Sequence, residues 1–298
     1  MALEEILLKL NHLVKPDDEY DKNDLAELSG LDPMEVNTFI EWWLKLKEEV
    51  KIHFLTKLNY IAEENFELEF YEILQYTLTD LSPNVRKESI NGLWECEDYR
   101  IANIAADILI NDNDESVRIE ASKLLRNFCH LIKNRKLSGR ISEKIIDSVN
   151  LILVTFTMDS ELWRRTLESA ACFNTDSINE YINMAYQSES TILKSSAIFA
   201  MGESNDTKWL NIVISEVYND LPEIRYESAV ALGKLGNESI LQNLQELLTD
   251  EDIQVKNSAI ESLGIIGGAT AKKILLSLPN DDLESKDSLE LALENLEL

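Results

Sequence analysis

The apolar residues of this chain recur at intervals of three and four, the spacing of one helical face, with short polar turns between the segments. One such segment reads Ile224-Arg225-Tyr226-Glu227-Ser228-Ala229-Val230-Ala231-Leu232-Gly233. It returns as Val255-Lys256-Asn257-Ser258-Ala259-Ile260-Glu261-Ser262-Leu263-Gly264. In both, an aliphatic residue precedes a basic one, and small and apolar residues follow. A period near 31 residues predicts stacked helical hairpins, because each hairpin alone is too small to bury its apolar face.

Followed backwards, the basic position falls at Lys51, Arg86, Arg118, Arg164, Lys194, Arg225 and Lys256, in steps of 35, 32, 46, 30, 31 and 31 residues. Three residues later stand Phe54, Ser89, Ala121, Leu167, Ala197, Ser228 and Ala259. Seven residues later stand Leu58, Leu93, Leu125, Ala171, Met201, Leu232 and Leu263. Offsets of three and seven share a helical face, so these positions predict a seam of close helix packing. The copies at Lys51 and Arg164 are looser, with Lys57 and Glu168 in slots that are small or apolar elsewhere.

A second helix completes each firm copy. After Gly233 come Asn237-Glu238-Ser239 and then an amphipathic stretch over 240–248, with apolar residues at 240, 241, 244, 247 and 248. Gly233 and Gly236 suit a left-handed turn closing the first helix. Thr249-Asp250-Glu251-Asp252 supplies a polar turn and N-cap residues for the next copy. The same grammar recurs at 101–110 with 111–115, and at 209–217 with 219–223.

On these residues the chain resembles HEAT-repeat proteins, in the short form whose helix reads V-R-x-x-A-x-x-A-L-G and which is called the phycobilisome-lyase type. The resemblance covers residues 48 to 280. The stretch 61–70, with Gly92-Leu93-Trp94-Glu95 after it, also resembles bacterial HEAT-repeat proteins. The resemblance implies an all-α fold, an α-solenoid of about six or seven HEAT-like helical hairpins. It also implies that the basic-position helices line the concave surface, with residues one, two and five after the basic position facing a partner. On that expectation the partner-binding residues are Lys87, Glu88 and Asn91; Ile119, Glu120 and Lys123; Arg165, Thr166 and Ser169; Phe199; Tyr226, Glu227 and Val230; and Asn257 and Glu261. Ser195, Ser196 and Ser258 hold equivalent places. Phe199 and Val230 either anchor a partner or touch neighbouring copies, and Trp94, where later copies carry glycine, reads as packing. The basic residues themselves read as structural: in HEAT repeats they pair with acidic turns, and Asp80, Asp112, Asp114, Asp220, Asp250 and Asp252 lie in such turns.

Composition changes the picture in two ways. Nine glycines and five prolines in 298 residues disfavour an all-β protein, and 45% hydrophobic residues disfavour disorder. Against 28 Lys and Arg stand 55 Asp and Glu, a net charge of −27. Such a surface repels phosphate backbones and anionic lipid, and it attracts basic proteins. It serves equally to keep an extended solenoid soluble. No apolar run reaches membrane-spanning length and no basic segment precedes an apolar one at the start, so a cytoplasmic chain without a secretory signal is expected. Cys96, Cys129 and Cys172 are odd in number and widely spaced, which reads as free thiols.

Chemistry is sparse. His12, His53 and His130 are scattered, and none is followed by Glu. HEAT-repeat hydroxylases resembling deoxyhypusine hydroxylase use His-Glu pairs for two irons, and HEAT-like DNA glycosylases use a basic face. Neither pattern is present. No phosphate loop or Gly-x-Ser-x-Gly elbow occurs. No catalytic residue, metal or cofactor is therefore expected. Lys133, Arg135, Lys136 and Arg140 form a local basic cluster, either a solvated loop with Gly139 at a turn or an anion contact, and a helix over 142–156 follows it.

The expected organisation is a helical cap over 1–46, repeats over 47–268 and capping helices over 269–298, as one continuous monomeric unit. In the first cap, helices over 3–14, 25–28 and 36–46 flank an acidic loop at 16–21, and Trp42 and Trp43 either cover the first repeat or form a docking groove. The predicted function is a non-catalytic protein–protein interaction scaffold with a partner of basic character. The alternatives are a bilin lyase or chaperone acting on a phycobiliprotein-like client, implied by the repeat type alone, and a regulatory subunit of a partner enzyme.

Overall fold

The computed structural model describes residues 3–10, 21–278 and 285–296, which contain eighteen α-helices and no strand. The chain divides into two compact units, residues 1–148 and 149–298. The first holds α1 (Leu3–Leu10), α2 (Lys22–Ala26), α3 (Pro33–Trp43), α4 (Glu48–Glu64), α5 (Tyr71–Thr77), α6 (Pro83–Asn91), α7 (Tyr99–Asn111) and α8 (Glu115–Lys133). The division falls within α9 (Arg140–Thr155). The second holds α10 (Glu161–Ala170), α11 (Asp176–Tyr186), α12 (Thr191–Ser204), α13 (Leu210–Glu216), α14 (Pro222–Leu235), α15 (Leu241–Leu247), α16 (Ile253–Ile266), α17 (Gly268–Leu276) and α18 (Lys286–Asn295). The predicted end of the first helix, residues 11–14, most of the 16–21 loop, and His12 lie outside the described residues.

Each basic position sits on its own helix, α4, α6, α8, α10, α12, α14 or α16, and a second helix follows each in the chain. This is an all-α solenoid of helical hairpins. The seam is complete: all fourteen residues at offsets three and seven are 0% exposed. Ser89 and Ser228 are tolerated in it because their hydroxyls donate to Val85 O at 2.8 Å and Ile224 O at 2.7 Å. In the second unit α12 packs on α10 and α14, α14 on α16, and α16 on α18, so the basic-position helices form one layer. In the first unit α6 lies between α4 and α8.

Polar turns set the helix starts. Ser82, Asp114, Ser160 and Asp252 each accept a backbone N–H of the first turn of α6, α8, α10 and α16. Asp32 and Glu35 form a reciprocal capping box on α3, with Pro33 at its first position. At the other ends, Asn174 and Asn205 take the left-handed conformation expected of glycine. Gly233 and Gly236 do not: α14 runs through Gly233 to Leu235, and Gly236 follows with φ −83°. What Gly233 provides is closeness, since a Cβ there would lie 2.6 Å from Ser262 Oγ on the next helix of the layer.

The first cap is aromatic. Phe39, Trp42 and Trp43 pack around Phe54 of α4 at centroid distances of 5.3–6.1 Å. Both tryptophans are buried against the first repeat. At the far end α18 takes the place of a further basic-position helix against α16, with Ala292 buried beside Gly264. The three cysteines are buried and form no disulfide.

Candidate partner-binding face

The basic ladder is consumed inside the fold. Arg86 Nε and Nη2 donate to Asp112 Oδ2 and Oδ1 at 2.8 and 2.7 Å, and Arg225 treats Asp250 identically at 2.7 Å for both. Each arginine also donates Nη1 backwards, Arg86 to Asp80 O and Leu81 O, Arg225 to Asn219 O and Asp220 O. Lys51 Nζ reaches Asp80 Oδ2 at 2.6 Å, which Trp43 Nε1 also donates to at 2.8 Å. Each aspartate ties its own turn as well, accepting the amide of Ser82, Asp114 or Asp252. One residue therefore latches the turn before its own helix to the turn before the next basic-position helix.

Other copies depart from this arrangement. Lys194 pairs at 2.8 Å with Glu216 at the end of α13, not with the turn residue Asp220. Glu216 is held by Tyr186 Oη at 2.5 Å and Asn219 Nδ2 at 2.7 Å, and Tyr186, half-buried and bonded to that carboxylate, is pushed up to about 12. Asp114 and Asp252 act as helix caps. Arg118 Nε donates to Leu109 O, and Arg164 pairs with Glu161 and Glu168 of its own helix. Glu168, out of pattern in the sequence, is the carboxylate that this departure requires.

In the first unit, the predicted face shows Asn91 exposed and Lys87, Glu88, Ile119, Glu120 and Lys123 half-buried. Glu88 accepts Asn59 Nδ2 from the preceding copy, and Lys123 pairs with Glu120 at 2.8 Å. A groove of about 310 Å³ runs between Asn91 and Trp94 on one side and Glu120 and Lys123 on the other. Trp94 is 53% exposed, against the packing role expected for it. Helix α6 ends at Asn91, so Trp94 leaves the helix before the register reaches a neighbour.

In the second unit, Tyr226 and Glu261 are exposed, and Arg165, Phe199, Glu227, Val230 and Asn257 are half-buried. Thr166 and Ser169 are not on the face: they are 0% and 2% exposed, with hydroxyls turned back to Leu162 O and Arg165 O. Ser196 and Ser258, also two after the basic residue, are buried too. At that offset the small residues Thr166, Ser196 and Ser258 are buried, whereas Glu88, Glu120 and Glu227 remain half-buried.

The electrostatics of this face centre on Glu227. Burial, then the nearby Glu168 charge, push its carboxyl up to about 7 against the pull of Lys234, Arg165 and Arg164. Those cations are already engaged: Lys234 with Glu203, and both arginines with Glu161 and Glu168. Lys234 Nζ also lies 5.1 Å from the Phe199 ring centroid. Glu227 itself forms no ion pair among the described residues. The basic cluster Lys133, Arg135, Lys136 and Arg140 is exposed, with Arg135 and Gly139 at positive φ between α8 and α9.

Residues 217–294 match the family model of HEAT repeats. Deoxyhypusine hydroxylase of Rattus norvegicus is 23% identical over 117 residues, 39% of each chain, so this chain spans well under two thirds of that enzyme. Phe54 and Leu131 follow His53 and His130 in this chain, and no group of three His, Cys, Asp or Glu among the described residues is placed to hold a metal ion. Among solved structures, YibA of E. coli is 16% identical over 95% of this chain and 98% of its own, with a TM-score of 0.43. Yeast importin-beta, Kap95p, is 10% identical over 99% of this chain and 46% of its own, at 0.50. The structural likeness concerns the fold alone, an α-solenoid, and the family match is confined to residues 217–294.

Proposed function

We propose that the chain is a non-catalytic scaffold that binds a protein partner of basic character across its layer of basic-position helices. The carrying observation is Glu227, a carboxylate whose neighbouring cations are all spent on other acids, beside the exposed Tyr226 and the half-buried Phe199. A partner's lysine or arginine would supply the missing charge, and the aromatic rings would supply apolar anchorage. The net charge of −27 steers such a partner towards the chain. The solenoid gives the surface, and the latches hold it rigid without using the outward residues.

The test is affinity capture from lysate of the source organism at low and moderate salt, with crosslinking and mass spectrometry. The expected result is one partner crosslinked through Lys87, Lys123 or Lys194. The Phe199→Ala/Tyr226→Ala double variant should weaken its retention by about tenfold or more at unchanged helicity. Equal retention by the variant, or only basic proteins with scattered crosslinks, overturns the placement.

A further inference from the structure

Trp94 occupies a register that three other copies fill with glycine. Eight residues after the basic position stand Gly202, Gly233 and Gly264, and a Cβ at each would lie 2.9, 2.6 and 2.8 Å from the next helix of the layer. The equivalent residue after Arg86 is Trp94, in a turn and 53% exposed, whereas Trp42, Trp43, Trp163 and Trp209 are all buried. Phe66, in the turn between α4 and α5, is 80% exposed. Both rings line one pocket of about 110 Å³, and Glu63, Glu69 and Glu95 line it with them. None of the three carboxylates forms an ion pair among the described residues, although Lys22 close by is drawn to Glu64.

Packing does not explain two large rings left in water on neighbouring turns. Aromatic faces carry negative quadrupole charge, and carboxylates around them add full charge, so the pocket suits a cation with an apolar stem. Glu63, Glu69 and Glu95 offer only acceptors, which disfavours an anion here. The adjoining groove of about 310 Å³ shares Glu63 and Trp94 with the pocket and has Ile90 and Leu124 in its lining, which extends the surface for the residues flanking that cation.

We propose that Phe66 and Trp94, ringed by Glu63, Glu69 and Glu95, form a receptor for a lysine or arginine side chain of a partner polypeptide. This rests on the reading of the chain as a scaffold for a basic partner, and it adds a defined contact point in the first unit. Charge complementarity selects the occupant, and the paired rings distinguish the site from the general acidity of the surface.

The experiment titrates hexa-arginine, and hexaglutamate as a control, into the full chain while tryptophan emission is followed. Trp94 is the exposed one of five tryptophans, so emission reports this pocket. Hexa-arginine should produce a saturable change that hexaglutamate does not, and Trp94→Ala should abolish it. By calorimetry, Phe66→Ala and Trp94→Ala should each weaken hexa-arginine about three- to tenfold, and Glu95→Gln should weaken it while keeping both rings. All three side chains are exposed, so the variants keep their helicity, which circular dichroism verifies. Equal affinity for wild type, Phe66→Ala and Trp94→Ala would mean diffuse attraction to an acidic surface and overturns the site. The titration uses the purified chain, so its failure removes this site alone, whereas a failed lysate capture removes the scaffold reading.

Discussion

Arg225 and Asp250 close a two-pronged ion pair across 25 residues of chain, Nε to Oδ2 and Nη2 to Oδ1, each 2.7 Å. Their side chains are only 11% and 8% exposed. Replacing one partner strands the other charge in a place that water barely reaches, and Arg225 also gives up two backbone carbonyls. Arg225→Ala should therefore cost about 3 kcal/mol of stability in urea unfolding. Partner retention, measured below the melting transition, should stay near that of wild type. Unchanged stability would remove the latch from the account of the fold.

The glycine register makes a paired prediction. Gly264→Ala places a Cβ 2.8 Å from Ala292 Cα, a backbone atom that cannot rotate away, so α16 and α18 must separate. The expected cost is about 1–3 kcal/mol, read by thermal unfolding. Trp94→Gly changes the same register in a turn where the ring is 53% exposed, and its effect on stability should stay within about 0.5 kcal/mol of wild type. A large loss at Trp94 would show that its ring carries packing after all.

Much of this was legible in the sequence, and the reason is periodicity. Arg86, Arg225 and their turn aspartates recur at fixed distances because one geometry is built repeatedly, and the fully buried offsets three and seven follow from the same repetition. Direction within the layer was less legible. Thr166 and Ser169 are small and polar, which suits an exposed face in sequence but in fact fits the narrow space beside an adjacent helix. Trp94 was misread because its register implies a helix, and α6 stops at Asn91 before that register is reached. Gly233 was misread for the converse reason: a glycine near a helix end suggests a turn, and only the position of Ser262 shows that it serves close approach.

Acid should weaken the fold through its turn carboxylates. Hydrogen bonds from the Lys208 amide and ammonium hold Asp206 down to about 2, against an ordinary 3.8. Burial pushes Asp250 up, but Arg225 and the Asp252 amide outweigh it and leave it low. A carboxyl depressed in the folded state contributes stability that is present above its unfolded value and lost as pH falls through its folded one. The thermal midpoint should hold down to about pH 4 and then fall steadily towards about pH 2. Asp206→Asn should flatten that fall by about 2–4 °C. An Asp206→Asn chain as acid-sensitive as wild type would show that the carboxylate is not what titrates.

Glu227 should behave in the opposite sense. Its carboxyl is raised to about 7 from an ordinary 4.5, first by burial and then by the Glu168 charge. A carboxyl raised in the folded state leaves stability intact below the unfolded value and lowers it as pH climbs through the folded one. Glu227→Gln removes the charge and keeps the shape, so it should raise the thermal midpoint by about 2–4 °C at about pH 8 and change nothing near pH 4. The same substitution should weaken a basic partner most at about pH 8, where wild-type Glu227 is ionised, and least near pH 5, where it is protonated in the free chain. A bound cation favours the ionised form, so partner binding to wild type should release protons across the interval from about pH 5 to 7. Calorimetry in buffers of different ionisation enthalpy reads that release directly. Proton release equal in wild type and Glu227→Gln would place the basic contact elsewhere on the layer.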